Sequence, residues 1–301
     1  MANCQGTPSV PVVRRLIVNA DDFGLSPGVN SGIVAAYQKG ILTSTTLLAN
    51  APFFTEAAAL ATANPGLGVG LHLNLVRGRP LSSPSAIPRL VDGRGVFRPF
   101  RLRLFPRGFL QDAETEYRRQ FEAALSAGVV PSHIDFEKHH AWQSPLYNLA
   151  CRLAREYGVP AVRNLSEPVA WSVRCLGWPG IGRAGMAALL RSGIALSRLR
   201  TEGLHRPERM LGQTHIGGMT ETVWLRLVAS LPPGTSEVMT HPGVPDDPDD
   251  PRLQEMGNSW LGDSRRVELT ALLSPRVRAE LERAGIQLIC FRDLLPPSSP
   301  R

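Results

Sequence analysis

The chain contains little lysine and little cysteine, and it has no apolar run of the length that crosses a membrane. Only two of its 301 residues are lysines, Lys39 and Lys138, so arginine supplies nearly all of the positive charge. The four cysteines include no C-x-x-C pair, which argues against a disulfide framework or a structural zinc site. Residues 1–14 lack the apolar core of a signal peptide. We therefore expect a cytoplasmic protein with reduced thiols and no transmembrane segment.

The excess of basic residues is not accompanied by a motif that would give it a specific partner. The formal net charge is +7 and the sequence pI is about 9.8. Basic surfaces can attract nucleic acid or anionic lipid, but the chain carries no RNA-binding or zinc-finger motif. A GC-rich genome also encodes lysine-poor, arginine-rich chains. We therefore predict no nucleic-acid partner.

The length and the hydrophobic pattern predict a single α/β domain. A chain of 301 residues with 43% hydrophobic residues can bury a large core. Seven or eight short strands alternate with helices, which indicates a whole or distorted (β/α) barrel. The predicted strands are Arg15–Ala20, Ser44–Ala49, Leu67–Leu75, His133–Phe136, Ala161–Arg163, His215–Met219, Glu237–Thr240 and Ile286–Phe291. The domain is expected over 15–293, between flexible tails at 1–14 and 294–301, with 174–207 as an insertion or lid.

Two adjacent carboxylates end the first predicted strand. Asp21 and Asp22 follow a short apolar run, and Ser26-Pro27 then provides an N-cap and a first helical residue. Val29, Ile33 and Tyr37 recur at helical spacing, and Gly40 ends the pattern. Active sites of α/β proteins lie at the carboxyl ends of their strands. These two acids are therefore candidates for catalysis, although a helix cap and a solvated acid would give the same sequence.

Histidines and acids recur at the ends of several other predicted strands. A single histidine within a leucine-rich strand is usually structural, as His72 could be by itself. In a barrel, however, the carboxyl ends of the strands converge on one mouth, so the whole set is expected to share a site. One carboxylate with two imidazoles is a common set of ligands for a divalent metal ion with open positions for water and substrate. The set comprises Asp21, Asp22, His72, His133, His139 and His241.

Four motifs in order give the chain a resemblance to a known family. They are Asn19-Ala-Asp-Asp-Phe-Gly24, Gly70-Leu-His-Leu-Asn74, Ser132-His-Ile-Asp135 with His139, and Thr240-His-Pro-Gly243. This pattern, spread over about residues 15–293, resembles the YdjC/ChbG family of metal-dependent carbohydrate deacetylases, whose barrel is related to that of the NodB polysaccharide deacetylases. The segments 87–92 and 155–163 also resemble the HpnK branch, which is associated with hopanoid biosynthesis. The chain departs from the pattern at Glu137, where many relatives carry a histidine, and just after His139, where many carry another.

The resemblance implies a role for each matched residue. Asp22, His72 and His133 would hold one divalent metal ion, Mg²⁺ or Zn²⁺, which activates a water molecule against the N-acetyl group. Asp21 would be the general base, and His241 is the candidate general acid for the leaving amine. Residues expected to bind substrate or to orient these groups are His139, Asp135, Arg163 and Asn74. Arg163 could pair with Asp21 and keep it ionised, or form an ordinary structural ion pair.

The predicted function is removal of the N-acetyl group from an N-acetylated amino sugar, either an oligosaccharide or a glycolipid. A metal-dependent phosphoesterase or amidohydrolase is the alternative enzyme, and a sugar- or lipid-binding barrel without catalysis is the alternative outside enzymes. The basic, partly apolar segment 98–107 could touch a membrane surface, although packing on the barrel is the simpler interpretation. The sequence leaves homodimer formation open.

Overall fold

The computed structural model describes residues 13–98, 106–142, 144–178, 201, 203–247, 249–256 and 262–295. Within them, seven strands form one parallel sheet. The strands are β1 (Arg14–Phe23), β2 (Ser44–Leu47), β3 (Gly68–Leu73), β4 (Ile134–Phe136), β5 (Arg209–Leu211), β6 (Gly234–Thr240) and β7 (Ile286–Leu288). Segment 99–105 and most of the predicted insertion, 179–200, lie outside the described residues.

The sheet is curled, with spatial order β4-β3-β2-β1-β6-β5 and with β7 paired to the start of β1. Two isolated parallel bridges, Ile134 to Val162 and Ala161 to His205, connect β4 to the segment that precedes β5. The sheet therefore curves back on itself as a distorted barrel. This confirms the predicted single-domain α/β architecture, although Ala161 and Val162 form bridges rather than a full strand.

Within the described residues, the helices are α1 (Pro27–Lys39), α2 (Phe54–Ala63), α3 (Phe109–Ser126), α4 (Ser144–Glu156), α5 (Val169–Leu176), α6 (Glu221–Ser230), α7 (Pro251–Glu255), α8 (Ser264–Leu272) and α9 (Pro275–Arg283). The first of them begins as its sequence predicts, because the Ser26 hydroxyl accepts a hydrogen bond from the Val29 N–H at 3.0 Å. Gly40 follows its last turn. Val29 and Ile33 are buried on the face turned to the sheet.

Alternation along the strands separates an outer apolar core from the barrel interior. In β1, Leu16, Val18 and Ala20 pack against the helices. The residues between them point the other way, and Ile17 joins a small interior cluster with Ala161, Ile289 and Phe291. Above this apolar base the interior is polar, and that is where the candidate site lies.

One predicted strand is wrong. Residues 215–219 do not form a strand, because the chain pairs with β6 earlier, over Arg209–Leu211, and then turns at Gly212 with a φ of 95° into a short 3₁₀ turn, Gln213–His215. In the acidic segment 246–251, Asp250 caps α7 through the Arg252 N–H. Among the described residues, none of the helices combines the length and the apolar character needed to span a membrane.

Candidate active site

Asp21 and Asp22 reach the same pocket because the end of β1 is irregular. Neighbouring strand residues ordinarily point to opposite faces. Here the register between β1 and β2 shifts between Ala20 and Phe23, and Asp22 adopts a left-handed backbone with a φ of 74°. Both carboxylates line one cavity of about 70 Å³. The sequence prediction that these two acids share a site is thus matched by the geometry.

A buried arginine fixes Asp21. Both Asp21 carboxylate oxygens accept hydrogen bonds from Arg163, at 2.6 and 2.7 Å, and Oδ1 also accepts one from the Asn19 amide at 2.9 Å. The same guanidinium contacts Asp135 at 2.6 Å and Glu237 at 2.7 Å. Burial alone would raise the pKa of Asp21, but the charge and hydrogen bonds of Arg163 outweigh it and hold the pKa well below its usual value. Asp21 is therefore ionised and has a fixed orientation.

Asp22 faces two arginines that the sequence analysis did not identify. Its carboxylate pairs with Arg265 of α8, and the Arg77 guanidinium lies 3.7 Å away. Burial opposes ionisation of Asp22, but these two cations lower its pKa below the usual range. Because Arg265 is 243 residues further along the chain, no local motif could have linked the two.

His72 is held between two carboxylates. Its Nδ1 lies 2.5 Å from Asp135 and its Nε2 lies 3.0 Å from Glu137. The Thr46 hydroxyl donates a hydrogen bond to Asp135 at 3.0 Å, which keeps that carboxylate in place. Burial would lower the pKa of His72, but Asp135 and Glu137 raise it well above its ordinary value. Asp135 therefore orients the His72 ring without lining the cavity itself.

His241 and His139 form two further walls of the same cavity. His241 Nε2 lies 4.0 Å from Asp21 Oδ2, and its backbone N–H donates to Glu268 at 2.6 Å. His139 has a left-handed backbone with a φ of 50°. Burial and the Arg163 charge lower the pKa of His139 to about 3, so its imidazole is neutral. Both rings are buried, and the Nδ1 atom of each lacks a hydrogen-bond partner among the described residues.

Four predicted site residues do not line this cavity. Asp135 and Arg163 still contact its residues His72 and Asp21, whereas His133 and Asn74 have other partners. His133 is stacked on Phe291, with ring centroids 3.6 Å apart, and its Nδ1 lies 3.0 Å from the Ser132 hydroxyl. Asn74 accepts hydrogen bonds from the Val76 and Arg77 N–H groups and so fixes the turn that carries Arg77. Asn74 therefore positions Arg77 and does not itself line the cavity.

The described residues contain two groups whose atoms are close enough to hold one metal ion, and His133 belongs to neither. The groups are Asp22, His72 and Glu137, and Asp21, His72 and Asp135, with ligand atoms within 4.8 Å of one another. The predicted set Asp22, His72 and His133 is thus not brought together. Buried carboxylate and imidazole donors nevertheless fit a divalent cation by their chemistry. Glu137, noted in the sequence only as a departure from the family pattern, belongs to the first of these groups.

A larger cavity adjoins the small one. Its volume is about 490 Å³, and Arg77 and Arg265 line both cavities. Its lining includes apolar residues, among them Leu25, Val29 and Val244, together with several arginine and aspartate side chains. A space of this size accommodates a small organic ligand beside the acids and histidines.

Comparison with known proteins places the chain in a family. The profile of the family described as YdjC-like protein matches residues 15–283. A carbohydrate deacetylase of Geobacillus stearothermophilus is 34% identical over 282 residues, which cover 93% of this chain and 98% of the relative. A carbohydrate deacetylase of Thermoanaerobacter pseudethanolicus is 32% identical over 240 residues, 78% of this chain and 83% of that relative. The chain is therefore a member of the YdjC-like family.

A solved structure agrees with this assignment. It is that of an Enterococcus faecalis V583 protein named as a candidate for cellobiose-phosphate cleavage, with a TM-score of 0.74 and 28% sequence identity. The match covers 94% of this chain and all of the other. The resemblance to the HpnK branch remains a sequence prediction.

Proposed function

We propose that this protein is a hydrolase that removes the N-acetyl group from an N-acetylated amino sugar. The observation that carries the proposal is the convergence of Asp21, Asp22, His72 and His241 on one small cavity. The relatives named carbohydrate deacetylase support the reaction class. The larger adjoining cavity is where the rest of the sugar, or the lipid of a glycolipid, would extend.

The Asp21 carboxylate would take the proton from the attacking water. Arg163 keeps Asp21 ionised and aimed into the cavity, as a general base requires. A divalent ion held by Asp22 and His72 would polarise the acetamide carbonyl and make the water more acidic, so that a weakly basic carboxylate suffices. His241, whose Nε2 lies 4.0 Å from Asp21 Oδ2, would donate a proton to the departing amine, which leaves poorly unless it is protonated.

The test is acetate release from N-acetylglucosamine, its short oligomers and an N-acetylglucosaminyl lipid. The protein is first stripped of metal and then assayed with and without added Mg²⁺ or Zn²⁺. We expect acetate from at least one substrate, only after metal addition. Activity on the lipid alone would favour the hopanoid-associated branch. If metal-loaded protein released no acetate from any of them, the proposed reaction would be wrong for these sugars.

A further inference from the structure

Glu137 lies where a third protein ligand of the proposed metal site is needed. It directly follows β4 and begins the turn that carries His139. Its Oε2 atom is 3.0 Å from His72 Nε2, and one atom from each of Asp22, His72 and Glu137 lies within 4.8 Å of the others. The Glu137 side chain is almost fully buried yet lines the cavity.

His133 occupies a deeper level of the barrel. In the register of β3 and β4, His72 is opposite Asp135, whereas the His133 backbone pairs two residues earlier, beside Gly70. Two residues correspond to about 7 Å along a strand. A methyl group placed on Gly70 would lie 2.4 Å from the His133 ring, so the ring fills the space that the missing side chain leaves. His133 thus packs between Gly70 and Phe291 instead of lining the cavity.

The second candidate group is already satisfied by a protein cation. Asp21 and Asp135 both pair with Arg163 at 2.6–2.7 Å, and Asp135 is fully buried. A third carboxylate, Glu237, also binds Arg163 and helps to hold it in place. Asp22 and Glu137 also pair with arginines, Arg265 and Arg77, but every member of their group lines the cavity, whereas Asp135 does not. The group that includes Glu137 is therefore the better place for an ion.

Independent features of the cavity also indicate a missing ligand. His139 and His241 line the same cavity, and both are buried, with Nδ1 atoms that have no hydrogen-bond partner among the described residues. His133 Nε2 also has no such partner, but His133 does not line the cavity. Buried polar atoms without partners are uncommon in folded proteins and often mark the place of a water, ion or ligand.

We propose that Glu137 is the third metal ligand, with Asp22 and His72. The site then has two carboxylates and one imidazole, where the sequence prediction had one carboxylate and two imidazoles. Carboxylate ligands favour hard cations such as Mg²⁺ and Mn²⁺, and imidazole favours zinc. Glu137 therefore shifts the metal preference of this chain away from zinc. This inference rests on the proposed function, because it concerns the same site.

The experiment measures metal binding to the full-length protein by isothermal titration calorimetry, with Mn²⁺ and Zn²⁺ as probes. We expect Glu137→Gln to weaken Mn²⁺ binding at least tenfold. His133→Gln, a matched control on the same segment, should leave it within twofold. Glu137→His should restore binding and raise the ratio of Zn²⁺ to Mn²⁺ affinity at least tenfold. Thermal unfolding of each variant confirms that it is folded.

Two results would overturn the inference. One is loss of Mn²⁺ binding in His133→Gln with retention in Glu137→Gln, which would return His133 to the ligand set. The other is an unchanged Zn²⁺ to Mn²⁺ ratio in folded Glu137→His. Neither depends on turnover. Absence of acetate release from wild-type protein with the binding pattern above would instead reject the proposed function and leave Glu137 as a ligand.

Discussion

At the scale of single residues, the site combines buried charges with unusual backbone conformations. Among the described residues, the three non-glycine residues with positive φ are Asp22, Lys138 and His139, and all three line the small cavity. Such conformations cost of order 1–3 kcal/mol each, and they persist where the surrounding structure imposes them. Their concentration at one cavity agrees with the assignment of this cavity as the active site.

Replacement of Asp21 separates its proposed role from that of a metal ligand. We expect Asp21→Asn to lower kcat by about 10²–10⁴-fold, the usual contribution of a general base, because the amide cannot accept the proton. Arg163 should stay in place, since Asp135 and Glu237 still bind it. Metal content measured on the same purified variant should equal that of the wild type. Loss of metal together with turnover would make Asp21 a ligand instead of a base.

At the scale of elements, buried carboxylates tie the loops around the cavity to the scaffold. Glu167 accepts hydrogen bonds from the Gly212 and Thr214 N–H groups. Glu268 of α8 uses one oxygen for the Gly217 N–H and the other for the His241 N–H, both at 2.6 Å. These contacts join the loops that follow β5 and β6. Glu268 is accordingly a positioning residue for His241.

Glutamine at position 268 can preserve only one of these two hydrogen bonds. In Glu268→Gln the side-chain amide nitrogen would face a backbone N–H group. Two donors cannot form a hydrogen bond, so the contact to one of the two loops would be lost. We expect kcat to fall about tenfold, with a smaller change in KM and with metal affinity retained, because hydrogen bonds to charged groups contribute about 1.5–3 kcal/mol.

Steady-state kinetics as a function of pH checks this expectation, since a displaced acid should change the profile. Glu122→Gln, at an exposed position of α3, is the matched control and should behave as wild type. Equal loss of activity in both variants would argue against a specific role for Glu268.

At the scale of the whole molecule, one buried cluster joins three strands around the barrel centre. Arg163 follows the bridge to β4 and binds acids of β1, β4 and β6. Three carboxylates around one guanidinium leave an excess of negative charge, and Glu237 Oε2 has no hydrogen-bond partner among the described residues. Burial raises the pKa of Glu237 to about 7, even though Arg163 opposes the shift. Glu237 is therefore partly protonated near neutral pH.

This raised pKa makes stability depend on pH in a defined direction. Between the ordinary value of 4.5 and about 7, the folded state binds more protons than the unfolded state, so the Glu237 contribution falls as pH rises. The difference between these two pKa values corresponds to a change of about 3 kcal/mol in the free energy of unfolding. Glu237→Gln keeps an acceptor for the Arg163 Nε–H and removes this dependence. We therefore expect the free energy of unfolding of the variant minus that of the wild type to increase by about 2–3 kcal/mol from pH 5 to pH 8.

Urea unfolding of both proteins across this pH range provides the measurement, and the difference between them cancels contributions from other groups. A difference that stays constant with pH would show that Glu237 has the same charge throughout.

The sequence by itself determined the features that depend on local chemistry and on strand order. Ser26 caps α1 because the hydroxyl and the following residues are adjacent in the chain. The alternation of strands and helices gave the barrel, and acids and histidines at strand ends gave a common mouth. Asp21, Asp22, His72, His139 and His241 do line one cavity, because parallel strands end at the same side.

The tertiary structure alone decided which side chains reach that mouth. Alternation places His133 and Asp135 on one face of the predicted strand His133–Phe136, but it does not give their depth. The packing of Phe291 against His133 comes from a distant part of the chain. Glu137 lines the cavity at the start of a turn in which Lys138 and His139 have left-handed backbone conformations. No local sequence pattern predicted these conformations. Arg77 lies in the loop after β3, and Arg265 lies in α8. Long-range packing, which sets depth and charge pairing, is therefore what the sequence pattern could not supply.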